Sequence, residues 1–119
     1  MINLILIQFI HFVSDFLCQT REMATNKSKS IYWLSLHVLV YATISMIGWF
    51  YFTSDPDVLF MVWVTSFSTH WITDFTTSKI TTYFYLKNDM FGFFSTIGFD
   101  QLIHSTTLLL TYNYLIKPL

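Results

Sequence analysis

Three aspartates and four histidines hold the chemistry of this chain. His70 and Asp74 stand four residues apart in His-Trp-Ile-Thr-Asp-Phe, and His11 and Asp15 do so in the near-copy His-Phe-Val-Ser-Asp-Phe. Asp100 and His104 repeat the spacing in reverse order, and His37 stands alone in Leu36-His37-Val38. Residues four apart lie on one face of a helix, so each pair presents a carboxylate beside an imidazole. An unpaired buried carboxylate takes up a proton rather than stay charged. A divalent cation removes that problem, because it keeps carboxylates ionised and imidazoles neutral. Oxygen and nitrogen donors without sulfur suit zinc, manganese or iron. The candidate ligands His11, Asp15, His37, His70, Asp74, Asp100 and His104 exceed the needs of one tetrahedral ion. They suffice for two ions sharing a carboxylate, so one or two metal ions per chain are expected.

Metal pairs of this kind activate water and stabilise in-line displacement at a phosphoryl or acyl centre. Asp15 or Asp100, whichever is less engaged by metal, is the candidate base. Lys79, one turn beyond Asp74, is the candidate phosphate-binding residue, and Gln19 and Gln101 are candidates to orient water or substrate. Each has a plainer alternative. The three pairs suit interhelical hydrogen bonding, and Lys79 suits a lysine reaching for the membrane interface. The hydroxyls of Thr76, Thr77, Thr81 and Thr82 suit bonds to their own helix backbone.

Composition sets the surroundings of these groups. Over 119 residues, 54% are apolar, 20% aromatic and only 11% charged. That charged fraction is less than half of the roughly 25% usual for soluble domains. With a mean hydropathy of +0.52, it points to a single all-α membrane domain. The formal net charge of −1 and the lack of a basic stripe argue against nucleic acid as a partner. The lone Cys18 leaves no internal disulfide and too few thiolates for a sulfur-based zinc site. No basic residue precedes the first apolar stretch, so no cleavable signal peptide is expected.

Four transmembrane helices must position the site, at about 2–20, 31–53, 58–86 and 91–116. Gln8, His11, Asp15 and Gln19 form one polar stripe on the first, as expected for a face turned to a protein interior. Residues 21–30 read as a polar loop, Asp55-Pro56-Asp57 as a tight connection and Lys87-Asn88-Asp89 as a turn. Gly92 and Gly98 weaken the start of the fourth helix, and Pro118 ends it. Arg21, Lys27 and Lys29 in the first loop, with Lys79 and Lys87 at the third, make loops 21–30 and 87–90 cytoplasmic. Both termini then lie outside, against the sign of Lys117 alone. Counted from those ends, Asp15, His37, Asp74 and Asp100 lie at a common depth of about 8–14 Å, with His11, His70 and His104 one turn deeper. The two similar strings, each followed by a loop and a histidine-bearing helix, indicate two hairpins related by a parallel repeat. Asp100 has no counterpart in the first half, where Trp33 stands, so an asymmetric site is expected.

These motifs resemble a family of small bacterial and phage membrane proteins of unknown function. The resemblance is carried by His11-x-x-x-Asp15-Phe16-x-x-Gln19, His37, His70-x-x-x-Asp74 with Lys79, and Asp100-Gln101-x-x-His104. The family is distantly similar to predicted membrane-bound metal-dependent hydrolases, and His104-Ser105 before an apolar run resembles one of their motifs. The Asp-x-Asp-His and Gly-His-Arg strings of the better-known branch are not present. What the resemblance implies is metal-dependent hydrolysis in a bacterial inner membrane. Together with the residues it favours a hydrolase of a phosphate-containing lipid or nucleotide, surrounded by membrane lipids and able to form a homo-oligomer. The alternatives are a metal-ion or proton transporter built on the same residues, and a non-enzymatic exclusion or regulatory protein that binds a membrane partner.

Overall fold

Helices account for the whole secondary structure of residues 1–116, which the computed structural model describes; Lys117 and Pro118, and with them the proposed end of the last helix, lie outside the described residues. Five α-helices follow one another: α1 (Ile2–Phe12), α2 (Arg21–Asn26), α3 (Ile31–Trp49), α4 (Pro56–Leu86) and α5 (Met90–Leu115). A π-helical turn, Val13–Leu17, continues directly from α1.

Local chemistry explains the boundaries. Thr20 begins α2 by accepting a hydrogen bond from the Met23 amide at 3.2 Å, and Asp55 caps α4 through the Asp57 amide at 2.9 Å with Pro56 in the first turn. Side-chain oxygens at these positions satisfy amides that the helix leaves without partners, and proline in a first turn lacks only an unneeded N–H. Asn88, at φ 55, reverses the chain between α4 and α5 in the left-handed conformation that asparagine tolerates. Asp89 then accepts from the Gly92 amide at 2.9 Å, so α5 is regular from its first turn despite its glycines. At Gly92 a Cβ would lie 2.5–2.8 Å from atoms of the Phe84 ring. Glycine there serves close packing of the α4–α5 hairpin.

α4 packs along both α3 and α5, α1 lies against α3 and α5, and α2 leans on α3. The 31 residues of α4, about 46 Å at 1.5 Å per residue, account for the 46 Å long dimension of the molecule. Ile7, Trp49, Leu59, Val62, Leu108 and Tyr112 form an apolar plug at the end of the bundle that holds the α3–α4 connection. The buried histidines and aspartates form the next layer, and α2 and the α4–α5 turn lie beyond them.

Three differences from the sequence reading have physical causes. The expected first helix, about 2–20, changes pitch at Val13 and stops near Leu17. The expected loop 21–30 contains α2, because Thr20 supplies a cap and Met23 a buried apolar anchor. Of the four expected spans, one, Ile31–Trp49, is by length and composition long and apolar enough to cross a membrane. Ile2–Leu17 is apolar but shorter. The many Thr, Ser, His and Asp residues of α4 and α5 lower the hydropathy of those longer helices.

Candidate metal centre

Every α-helix except α2 sends histidine or aspartate into one buried network, and the loop after α2 adds a lysine. α1 supplies His11, the π-turn Asp15, α3 His37, α4 His70 and Asp74, and α5 Asp100 and His104. The four imidazoles, Asp15 and Asp74 are all at most 4% exposed.

His37 Nε2 and His70 Nε2 stand 3.1 Å apart at its centre. Asp15 Oδ1 lies 3.2 Å from the first and 3.4 Å from the second. Asp74 Oδ2 lies 3.4 Å and 3.5 Å from the same two nitrogens. Four donor atoms from three elements, α4 giving two of them, thus converge with five of their six mutual distances between 3.1 and 3.5 Å. A regular tetrahedron whose centre is about 2.1 Å from each vertex has edges of about 3.4 Å, the geometry of zinc with nitrogen and oxygen ligands. Three donors at such separations fit around a divalent cation. Asp15, His37 and His70 form one metal-competent triad, and His70, Asp74 and His104 a second.

The rings are held by stacking. His70 lies between Tyr41, at 3.9 Å between centroids, and His104, at 4.0 Å. The Nδ1 atoms of His37 and His70 are buried without a hydrogen-bond partner, so packing and not a second hydrogen bond orients these two imidazoles.

Asp74 joins the two triads. Its Oδ2 faces His37 and His70, while its Oδ1 meets His104 Nε2 at 3.1 Å. His104 Nε2 also lies 3.4 Å from Asp100 Oδ2. Thr77 donates to Asp100 Oδ1 at 2.5 Å. Gln101 Nε2 donates to Asp100 Oδ2 at 3.1 Å and to Asp15 Oδ2 at 3.3 Å. The same amide accepts from His11 Nε2 at 3.0 Å, and His11 Nδ1 meets the Tyr41 hydroxyl at 3.2 Å. His11 stands 3.9 Å from Asp15 and belongs to the edge of the network. The corresponding gap is 3.5 Å in His70–Asp74 and 3.4 Å in Asp100–His104, both within regular α-helix. The π-turn changes the pitch between His11 and Asp15, so the two similar strings do not produce equivalent pairs.

Lys79, the expected phosphate-binding residue, is set apart from the cluster: its Nζ lies 3.4 Å from the centroid of the Phe75 ring. Lys27 occupies the place beside the site instead. Its Nζ donates to Asp74 Oδ2 at 2.7 Å with the side chain 20% exposed. Burial alone would lower the pKa of Lys27, but Asp74 and Asp15 outweigh it and hold its ammonium above the usual lysine range. The sequence shows Lys27 only as a loop charge, since its partner is 47 residues away. Tyr41 was open to reading, one helical turn from His37 on the same face. Among the four clustered threonines, Thr76, Thr77 and Thr81 bond to their own helix, but Thr77 also serves Asp100 and Thr82 donates to Ser28 in the loop before α3.

The network is open on one side. A cavity of about 550 Å³ lies between the α2 region, the C-terminal half of α4 and the start of α5, with Asp15, Asp100, Gln101 and Lys27 in its lining. Asp100 is the most accessible of the three acids, with its side chain 15% exposed.

Fold and site define a small all-helical protein with a buried histidine–aspartate cluster able to hold metal. The chain belongs to a family of proteins of unknown function, DUF3307, whose model matches residues 2–118. Neither the curated proteins nor the solved structures include a match to it.

Proposed function

We propose that this chain is a membrane-embedded, metal-dependent hydrolase that acts on a phosphate-containing substrate. The reading is carried by the convergence of Asp15 Oδ1, His37 Nε2, His70 Nε2 and Asp74 Oδ2, with five separations of 3.1–3.5 Å. Hydrogen bonding alone accounts poorly for it. Two Nε2 atoms in contact cannot both carry a proton, yet each also faces two carboxylates. A shared cation removes that conflict, and it supplies charge stabilisation at a phosphoryl group and activation of water.

The four-span inner-membrane setting, with the α2 end cytoplasmic, draws support from the distribution of polarity. Twelve buried side chains are polar or charged and eleven are hydrophobic among the described residues. Large apolar side chains such as Phe9, Phe60, Phe91, Phe99 and Leu102 are each at least 60% exposed. Such a chain places its costly groups inside and its apolar ones outside, as lipid demands.

Within the site, Asp15, His37, His70 and Asp74 would hold the cation. Asp100 accepts from Thr77 and Gln101 and borders the cavity, which suits a base that takes a proton from water. Lys27 offers a positive charge where substrate enters, the role the sequence assigned to Lys79. The plug of Ile7, Trp49, Leu59, Val62, Leu108 and Tyr112 weighs against a transport path, because its side chains offer only the Tyr112 hydroxyl, which accepts from Asn3, and the Trp49 indole N–H as polar groups.

The test is metal content per chain, by mass spectrometry, on full-length protein purified in detergent. Wild type should hold transition metal and His70→Ala should lose it. Asp100→Asn should retain metal while phosphoester hydrolysis falls by about 10²–10⁴-fold, the scale of a lost general base. Well-folded wild type that takes up no zinc, manganese or iron would sink the proposal.

A further inference from the structure

We infer that the cavity beside the metal centre is the binding site of an anionic amphiphile, a lipid phosphate monoester. Its headgroup lies against Lys27 and Lys29 and its chain along Phe16, Tyr85 and Phe93. This rests on the metal-centre reading and adds the substrate class to it.

Four observations converge. The first is position: Asp15 and Asp100 line the cavity, so a headgroup there meets the catalytic edge of the network. The second is charge. Lys27 and Lys29 both line the cavity, and Lys29 forms no ion pair among the described residues. An anion in this place meets the ammonium of Lys29 and shares that of Lys27 with Asp74, and phosphate oxygens accept strongly from lysine.

The third is unmet hydrogen bonding. Gln19 Oε1 and Ser78 Oγ are buried without partners, and both residues line this cavity. A buried polar atom without a partner costs free energy that a polar ligand or its water recovers. The fourth is the character of the walls. Phe16, Phe93 and Ile97 line it with Tyr85 and Leu86, and Phe16, Tyr85 and Leu86 are 42%, 58% and 75% exposed. An apolar lining that continues onto an exposed apolar surface suits an alkyl chain entering from lipid. A volume of about 550 Å³ far exceeds a free phosphate and accommodates a headgroup with the first part of a chain.

The test is binding to the full-length, metal-loaded protein in a neutral detergent. The probes are lysophosphatidate, lysophosphatidylcholine of the same chain length and inorganic phosphate. Lysophosphatidate should bind at least about tenfold more tightly than either of the others. Lys27→Gln should weaken it by about tenfold without changing metal content, as expected for one charge-assisted hydrogen bond. Equal binding of the zwitterionic lipid would show that the headgroup is not read. Equal binding of inorganic phosphate would show that the chain is not read. Either result, or an unaffected Lys27→Gln, overturns the inference. If Lys27→Gln does not fold, Ile97→Trp decides: it fills the cavity and should abolish lipid binding with metal retained, and unchanged binding overturns the inference. Metal measured on the same samples separates the two levels. Wild type without metal removes the metal-centre reading, whereas metal bound without lipid discrimination removes this inference alone.

Discussion

His37 Nε2 and His70 Nε2 face each other across 3.1 Å, from two helices, with a carboxylate on either side. The contact sorts the remaining histidines by their distance from it. His104 approaches through Asp74 and by stacking on His70, whereas His11 reaches it at one remove, through Gln101, Asp15 and Tyr41.

Histidine substitutions should therefore be unequal. His37→Ala should abolish metal binding, since it removes a vertex shared by both carboxylates. His11→Ala should leave metal content intact and lower stability, because the Tyr41 hydroxyl and the Gln101 amide lose a buried partner. Metal analysis beside thermal unfolding of each variant checks this. Metal loss in His11→Ala would move the centre toward the N-terminal helix.

Gln101 touches His11, Asp15 and Asp100 and stands outside the proposed cage. Gln101→Leu should bind metal at saturation but with affinity lowered by about 10–100-fold, the scale seen when groups that orient ligands are removed. A chelator-competition titration measures it, and wild-type affinity would show that Asp15 is held without the amide.

The pair of Lys27 and Asp74 ties the loop before α3 to the middle of α4. Lys27→Met should destabilise the protein by roughly 1–3 kcal/mol, the worth of a hydrogen bond between charged groups. Asp74→Asn should cost more, since it also abandons His104 and the cage. Denaturation midpoints of the two variants test the order, and the reverse order would mean that Asp74 is not the hub of the network.

Two glycines of α5 should respond in opposite directions. Gly92→Ala drives a methyl group into the Phe84 ring and should cost roughly 1–3 kcal/mol, as overpacking does. Gly98→Ala meets nothing within 4 Å and should gain about 0.5–1 kcal/mol from helix propensity. Both are read as shifts in unfolding temperature, and a harmless Gly92→Ala would show that α4 and α5 separate easily.

The two similar strings and the reversed pair at Asp100 and His104 are legible because they depend on spacing within one helix. Helix ends at Asp55-Pro56 and Asp89 are legible too, since cap residues act over three or four positions. What escapes is set by distance along the chain. Nothing near Lys27 announces Asp74, and nothing near Thr82 announces Ser28. Local pitch escapes as well: His-Phe-Val-Ser-Asp reads as regular helix, yet the backbone widens at Val13. The orientation of Asp74, one oxygen toward each triad, is a property of the packed bundle alone.

The widened turn from Val13 to Leu17 bears on how such sites are recognised from sequence. Two strings that match residue for residue, apart from conservative exchanges, are given different duties by the backbone beneath them. In the second, histidine and aspartate both face the cage. In the first, aspartate does so while histidine turns to tyrosine and glutamine. Two like strings can thus take different duties without differing in a single reactive side chain, and a pattern search that counts both as equal ligand pairs treats His11 as the equal of His70, which it is not.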